Sequence, residues 1–265
     1  MKLYDCLFTP GRKWEPSKPF PGMEAVLVDG QRMYAKKPNT GGARDLTRLD
    51  HEEARTWPKL APGAPCIVNI EQVFYEDFSR PVHADIRLST ARQIAEDFKP
   101  IRATVDAVRS GSDGAPVGFY GFLPTGYNVF NSVITGDATE LFISRASNDT
   151  LAHIFGDCLD MLCPSLYVNS TNIQHWIKFA TWQVHECRRI GDLIGVVFPI
   201  VPFISPEIHP SAGRGLISLE FWETQIAHLS RLGCDGAVLW AHRDPWATML
   251  PYARRAVQRA SRASE

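Results

Sequence analysis

The sequence has no excess of charge of either sign and no long hydrophobic run. Its 28 basic and 29 acidic residues leave a formal net charge of −1, which argues against a broad surface for nucleic acid or anionic membrane. Nowhere do about eighteen apolar residues follow one another, so no transmembrane helix is predicted. The first residues also lack the basic, apolar and small-residue order of a secretory signal. The compartment stays open: cytoplasmic, or secreted if a leader has been removed.

Cysteine is sparse and shows no pairing pattern. The six cysteines are scattered, mostly in apolar segments, which predicts buried, reduced thiols and not a disulfide framework. Cys158 and Cys163 lack a second pair, and no His-x-x-x-His follows them, so no zinc site is expected. The glycine-rich signatures of dinucleotide-binding and phosphate-loop folds are missing too. The sequence therefore predicts neither a metal nor a cofactor, and a metal-dependent hydrolase is disfavoured because no His-x-His follows the first strand.

Short apolar runs alternate with longer amphipathic segments along the chain. The apolar runs predict seven strands, at residues 2–8, 24–28, 65–71, 116–122, 165–169, 196–203 and 235–240. Helices are predicted at residues 85–110 with a kink at Pro100, at 171–192, at 218–233 between Ser218 as N-cap and Gly233, and at the arginine-rich C-terminal end. This alternation predicts a parallel sheet. We expect a TIM-like (β/α) barrel, seven-stranded and distorted, formed as one domain by residues 1–265.

The third predicted strand ends in a carboxylate, Glu71. In a barrel of parallel strands, chemistry takes place at the C-terminal ends of the strands. A carboxyl group held there beside apolar walls has its ionisation disfavoured, as a general acid requires. When this residue is considered alone, the simpler interpretation is that Glu71 is only solvated or salt-bridged.

Aromatic side chains follow the other predicted strand ends. Tyr120 and Tyr127 come with the fourth strand, Tyr167 with the fifth and Trp240 with the seventh. Aromatic rings suit the apolar faces of sugar rings, and tyrosine hydroxyls can hydrogen-bond sugar hydroxyls or an acetamido group. The competing interpretation is core filling, which we favour for Phe122, whereas Tyr127 and Trp240 fit either role.

Four motifs in this order and spacing resemble those of the hyaluronidase family of glycoside hydrolases. They span residues 60–242 and read Asn69-Ile70-Glu71, Gly118-Phe119-Tyr120-Gly121-Phe122-Leu123-Pro124 with Tyr127-Asn128, Pro164-Ser165-Leu166-Tyr167, and Gly236-Ala237-Val238-Leu239-Trp240. The resemblance implies a distorted seven-stranded barrel that hydrolyses a polysaccharide or glycan. Its substrate would be a carbohydrate, with N-acetylhexosamine at the cleaved bond.

The resemblance also implies a role for each matching residue. Glu71 corresponds to the general acid/base, Tyr127 and Tyr167 to tyrosines that contact the reacting sugar and its acetamido group, and Trp240 to a wall of the sugar subsite. In that family the acetamido oxygen of the substrate attacks the anomeric carbon, an exception to the two-carboxylate scheme. The family's aspartate, two residues before the acid, is Asn69 here. An amide still accepts a hydrogen bond from the acetamido N–H, but it brings no negative charge.

Two other interpretations remain open from the sequence. Glu71 could act with a second carboxylate, Glu207 or Asp244, although Pro206 and Pro210 favour a rigid surface turn in which Glu207 is a solvated loop residue. Alternatively, the chain is a non-catalytic barrel that binds carbohydrate or another protein. His209 and His242 are expected at the surface or in packing, since nothing in the sequence orients them. The oligomeric state is not indicated.

Overall fold

The computed structural model describes residues 1–7, 10–13, 15, 17–29, 34–36, 44–69, 99–125 and 129–262. Within these ranges the strands are β1 (Lys2–Leu7), β2 (Leu27–Asp29), β3 (Tyr34–Lys36), β4 (Arg44–Leu49), β5 (Cys66–Val68), β6 (Val117–Tyr120), β7 (Met161–Cys163), β8 (Phe203–Ile204) and β9 (Gly236–Ala241). The helices are α1 (His51–Thr56), α2 (Lys99–Gly111), α3 (Phe130–Thr135), α4 (Ala138–Phe155), α5 (Ile173–Ile194), α6 (Leu219–Arg231) and α7 (Trp246–Arg262). Two 3-10 turns occupy Trp57–Leu60 and Pro210–Ala212.

Seven of these strands form a ring of parallel neighbours. One sheet has the order β2-β5-β6-β7 and another has the order β1-β9-β8. On one side the sheets are joined because the Leu162 N–H donates to the Pro199 carbonyl (3.0 Å) and the Leu162 carbonyl accepts from the Val201 N–H (2.9 Å). On the other side Glu24, just before β2, exchanges backbone hydrogen bonds with β1 at 2.7 and 3.0 Å. This is the predicted TIM-like barrel with seven strands; β3 and β4 pair separately as an antiparallel hairpin.

Side-chain alternation gives the barrel an apolar interior and an apolar outer wall. The interior cluster consists of Tyr4, Cys6, Val26, Ile67, Tyr120, Met161, Cys163, Val201, Phe203 and Val238. Their sequence neighbours point outward and pack under the helices in a larger second cluster. Glycine makes room inside, because a Cβ on Gly118 would lie 2.8 Å from Cys163 Sγ and one on Gly236 would lie 2.7 Å from the Tyr4 ring. The strands are thus buried on both faces, as in other parallel sheets.

Two strand predictions were wrong in position. The fifth predicted strand, residues 165–169, follows the true one, β7, and makes only isolated bridges from Ser165 and Val168. The sixth, residues 196–203, is reduced to β8 and one bridge at Ile200. Pro199 and Pro202 explain the second error, since proline has no N–H to donate to a ladder.

The bounds of the predicted helices agree with the structure better than the number of predicted helices does. Ser218 caps α6 by accepting from Phe221 N–H, as predicted, whereas the C-cap is Leu232 and Gly233 follows it with φ +69°. The described part of the helix at residues 85–110 is α2, and residues 85–98 lie outside the described residues, so the kink at Pro100 stays a prediction. Helix α4 was missed because its buried face includes Ser144, Ser147 and Asn148, which hides the apolar periodicity.

The described residues include all six cysteines. All six cysteines are free and buried, which confirms the prediction of reduced thiols, and burial raises the pKa of Cys66 to about 12. No described helix has the length and apolarity to cross a membrane. The described part of the chain also contains no group of three or more potential metal ligands. The strand ring draws on residues 2–241, and a single domain over 1–265 stays a prediction.

Candidate active site

The C-terminal mouth of the barrel carries a continuous row of aromatic rings. The ring centroids of Tyr120 and Tyr167 are 6.0 Å apart. Tyr167 stacks on Trp240 at 5.5 Å with 27° between the planes, and Trp240 lies 4.3 Å from the ring of His242. We call these four residues the aromatic row. Tyr167 and Trp240 are half-buried, so both keep surface for a ligand.

Tyr120 forms the inner end of the aromatic row. It is the last residue of β6 and only 6% exposed. Its hydroxyl lies 3.1 Å from Ser165 Oγ, and its ring packs edge-on against Phe203 at 4.5 Å. Tyr120 therefore closes the bottom of the mouth, and its contact with a substrate stays a prediction. Ser165 stands in the Pro-Ser-Leu-Tyr motif, but its partnership with Tyr120 had no signal in the sequence.

Asn69 directly follows β5, next to the strand that ends at Tyr120. Val68, the last residue of β5, pairs with Phe119 of β6, so a continued register would set Asn69 opposite Tyr120. Ile67 belongs to the interior cluster, and alternation gives Asn69 the same side. The structure thus brings together Tyr120, Tyr167 and Trp240, and the place of Asn69 beside them stays a prediction. Glu71 and Tyr127 lie outside the described residues.

Glu207 is not the solvated loop residue expected from Pro206 and Pro210. It is 2% exposed and follows β8 at the mouth. Its Oε1 accepts the backbone N–H groups of His242, Arg243 and Asp244 at 3.2, 2.8 and 3.1 Å, and its Oε2 accepts from Arg243 Nε at 3.1 Å. The expectation failed because the partners of the Glu207 carboxylate stand at least 35 residues away in the sequence. With both oxygens engaged, this carboxylate is poorly suited to act as a nucleophile.

His242 is oriented by this arrangement, which no local sequence pattern indicated. Its ring packs against Trp240, and its Nδ1 lies 3.5 Å from Glu207 Oε2. Burial lowers the pKa of His242; Glu207 opposes this change and Arg243 adds to it. His209, expected at the surface or in packing, is half-buried, and its pKa is also lowered by burial.

A second network ties the loop after β1 to the start of α7. Asp5 is 1% exposed and accepts hydrogen bonds from both terminal nitrogens of Arg12, with Nη1 at 2.7 Å, and from Phe20 N–H at 2.6 Å. The Arg12 guanidinium lies 4.7 Å above the Trp246 ring, a favourable cation–π distance. Sequence reasoning missed this pair because Asp5 stands inside an apolar strand.

An open groove on the outer wall is a poorer candidate for a site. It has a volume of about 650 Å³ and is lined by residues of α6 and α7, including Arg231, Arg259 and Arg262. These arginines stand in the last turns of the two helices, where cations complement the helix dipole. Their position thus has a structural explanation, and the groove lies away from the strand ends that carry the aromatic row.

Comparisons with known proteins agree with this geometry. No protein-family model matches the chain. A hyaluronidase of Loxosceles intermedia is 32% identical over 127 residues, which are 46% of this chain and 30% of that protein. A crystal structure of bee venom hyaluronidase in complex with a hyaluronic acid tetramer has a TM-score of 0.62 at 15% identity and covers 100% of both chains. A monoclinic crystal structure of bee venom hyaluronidase has a TM-score of 0.60 at 15% identity and covers 97% of this chain and 95% of that one.

These likenesses show that the chain shares the barrel fold of the bee venom structures. More narrowly, the chain has a hyaluronidase-like glycoside hydrolase fold, which confirms the predicted resemblance at the level of the fold. The match to the Loxosceles protein covers under a third of that protein's length. The activity and the substrate of this chain are therefore argued as proposals.

Proposed function

We propose that this protein is a retaining glycoside hydrolase that cleaves a polysaccharide containing N-acetylhexosamine. The observation that carries the proposal is the stacked Tyr167–Trp240 pair, with half-buried rings, at the C-terminal mouth of a hyaluronidase-like barrel. Such rings match the apolar faces of a sugar chain. A hyaluronic acid tetramer is the ligand of the bee venom structure, so a hexosamine-containing polymer of that type is the first substrate to test.

Glu71 is the proposed general acid/base. It follows Asn69 by two residues, and successive side chains of a strand alternate between faces. A strand continued past Asn69 would give Glu71 the same side as Asn69 and Ile67. In the first step Glu71 protonates the glycosidic oxygen as the bond to the anomeric carbon breaks. In the second step it removes a proton from the incoming water.

The nucleophile in this proposal is the acetamido oxygen of the substrate. It attacks the anomeric carbon and forms an oxazolinium ring, which water then opens with overall retention of configuration. This scheme needs no second protein carboxylate. It agrees with the state of Glu207, whose two oxygens accept four hydrogen bonds from the 242–244 segment.

The other site residues have binding roles in this proposal. Tyr127 and Tyr167 contact the reacting sugar and its acetamido group, and Trp240 forms one wall of the subsite. Tyr120 lies below them as the inner boundary, with its hydroxyl 3.1 Å from Ser165 Oγ. Asn69 accepts the acetamido N–H and so directs the acetamido oxygen toward the anomeric carbon.

Changing Asn69→Asp is expected to raise kcat on hexosamine polymers by about tenfold, measured as new reducing ends per unit time. The added negative charge stabilises the developing oxazolinium, and preorganised groups at such positions are worth about 10²–10³ in kcat. Asn69→Ala removes the acceptor and is expected to lower kcat by a comparable factor. Asn131→Asp, an exposed change on α3, is the matched control and leaves kcat unchanged. Wild-type kcat in both Asn69 variants would refute the role of Asn69.

A non-catalytic sugar-binding barrel is the second candidate function. The uncharged Asn69 favours it, because the missing charge removes one source of transition-state stabilisation. This alternative predicts that the wild-type protein binds hexosamine oligosaccharides and releases no reducing ends over long incubations. It also predicts that Trp240→Ala weakens binding as strongly as in the enzyme proposal.

A further inference from the structure

Glu207 is a buried carboxylate at the mouth of the barrel that the proposed reaction does not use. One of its oxygens accepts three consecutive backbone N–H groups, from His242, Arg243 and Asp244. Successive amides converging on one oxygen form an anion-binding concavity. In this protein the concavity holds the carboxylate of Glu207, which belongs to the segment after the neighbouring strand β8.

Arg243 completes a cross-link between the two strand ends. Its Nε donates to Glu207 Oε2 at 3.1 Å, and its Nη2 donates to the Ile208 carbonyl at 2.7 Å. Backbone and side chain of the segment after β9 are therefore both attached to the segment after β8. Glu207 N–H donates in turn to Ser205 Oγ at 3.0 Å, which fixes the backbone that carries the carboxylate.

This cross-link adjoins the outer half of the aromatic row, Trp240 and His242. Trp240 precedes the bonded segment by two residues, and His242 is its first member. The His242 ring lies 4.3 Å from Trp240 and its Nδ1 lies 3.5 Å from Glu207 Oε2. Burying a carboxylate carries a large desolvation cost, and apolar residues often replace buried ion pairs without loss of stability. Stability alone therefore does not explain why a carboxylate stands at this position. Its place beside ligand-facing side chains points to a role in orienting them.

We propose that Glu207 is a positioning residue that holds Trp240 and His242 in the orientation in which the aromatic row accepts a sugar chain. The proposal rests on the proposed function for the identity of the ligand. Glu207 does not touch the sugar; it acts through the 242–244 backbone and Arg243. Its loss should therefore weaken sugar binding in the ground state and the transition state alike, which raises KM and leaves kcat nearly unchanged.

The experiment compares two variants at this position with a buried carboxylate elsewhere. Glu207→Gln keeps an oxygen for the backbone N–H groups and loses the charge that faces Arg243; Glu207→Ala removes both. Glu186→Gln is the matched control, because Glu186 is also 2% exposed but bonds Asn148 and Arg189 between α4 and α5. Each protein is measured by far-UV circular dichroism, by the near-UV signal of Trp240 obtained as the difference from Trp240→Phe, and by kinetics and binding with hyaluronan hexasaccharide.

The expected result separates positioning from folding. Glu207→Ala raises KM and Kd at least tenfold with kcat within threefold, and Glu207→Gln raises them about threefold. Both lose part of the near-UV signal of Trp240, whereas Glu186→Gln loses thermal stability and keeps KM and that signal. If Glu207→Ala does not fold, the KM, Kd and Trp240 signal of Glu207→Gln alone test the positioning role.

Two other outcomes are distinguishable. Wild-type KM and an unchanged Trp240 signal in the folded Glu207 variants overturn the positioning role, whatever their stability. If the wild-type protein neither binds nor cleaves the hexasaccharide, the proposed function fails for that substrate. The near-UV signal of Trp240 then still tests the positioning role of Glu207. Loss of the Trp240 signal then supports the positioning of the aromatic row, and retention of the signal overturns it.

Discussion

Replacing Glu71 with glutamine is expected to lower kcat on a hexosamine polymer by about 10²–10⁴, the usual contribution of general acid–base catalysis. Glutamine has nearly the same shape and can still hydrogen-bond the glycosidic oxygen, but it has no proton to give it. KM is expected to change little, because the lost interaction belongs to the transition state. The measurement is the initial rate of reducing-end release at saturating substrate.

Two controls separate acid catalysis from a general disturbance of the site. The deficit of Glu71→Gln should shrink with an aryl glycoside whose leaving group needs no protonation, because the missing acid then matters less. Glu76→Gln, a neutralised carboxylate five residues further along the chain, should keep wild-type kcat. Full activity of Glu71→Gln on the natural polymer would show that Glu71 is not the acid.

Changing Asp5→Asn is expected to lower the free energy of unfolding by about 3–5 kcal/mol, the usual cost of removing one partner from a buried ion pair. Asp5 is 1% exposed and the Arg12 side chain is 11% exposed, so the guanidinium would be left with little water around it. The amide group of asparagine would also direct a donor toward Arg12. The measurement is urea unfolding, read as a shift of the midpoint at constant slope.

The surface ion pair between Lys2 and Glu24 is the matched control for Asp5. Its side chains are 61% and 49% exposed, at a separation of 3.2 Å. Glu24→Gln should change the free energy of unfolding by less than about 1 kcal/mol, because exposed pairs contribute little. An Asp5→Asn effect as small as this would mean that water or other groups replace the lost charge.

The barrel was predictable from the sequence because its strands carry their signal locally. Ile67 and Val68 lie in a short apolar run, and so do Val238 and Leu239, and each run forms a strand buried on both faces. Strand β8 was misplaced because Pro199 and Pro202 interrupt hydrogen bonding in a segment that is still apolar. Helix α4 was missed because Ser147 and Asn148 occupy its buried face.

In the candidate site, too, features with a local sequence signal were predictable and features that depend on distant residues were not. Trp240 was placed correctly near the end of its strand, and Tyr167 reaches the same mouth although its predicted strand was misplaced. The burial of Glu207 was not predictable, since its partners at residues 242–244 are brought to it only by the pairing of β8 with β9. The same holds for the contact of Tyr120 with Ser165, 45 residues apart. Long-range partners depend on the closed barrel, and no local pattern encodes them.

The most direct test of the proposed activity is time-resolved proton NMR of hyaluronan hexasaccharide incubated with the wild-type protein. New reducing-end signals are expected to appear, with the β-anomer formed first, because the acetamido oxygen and then water attack the same carbon. Appearance of the α-anomer first would contradict the substrate-assisted mechanism. Saturable binding without any new reducing end, for this and other hexosamine oligosaccharides, would contradict hydrolysis itself.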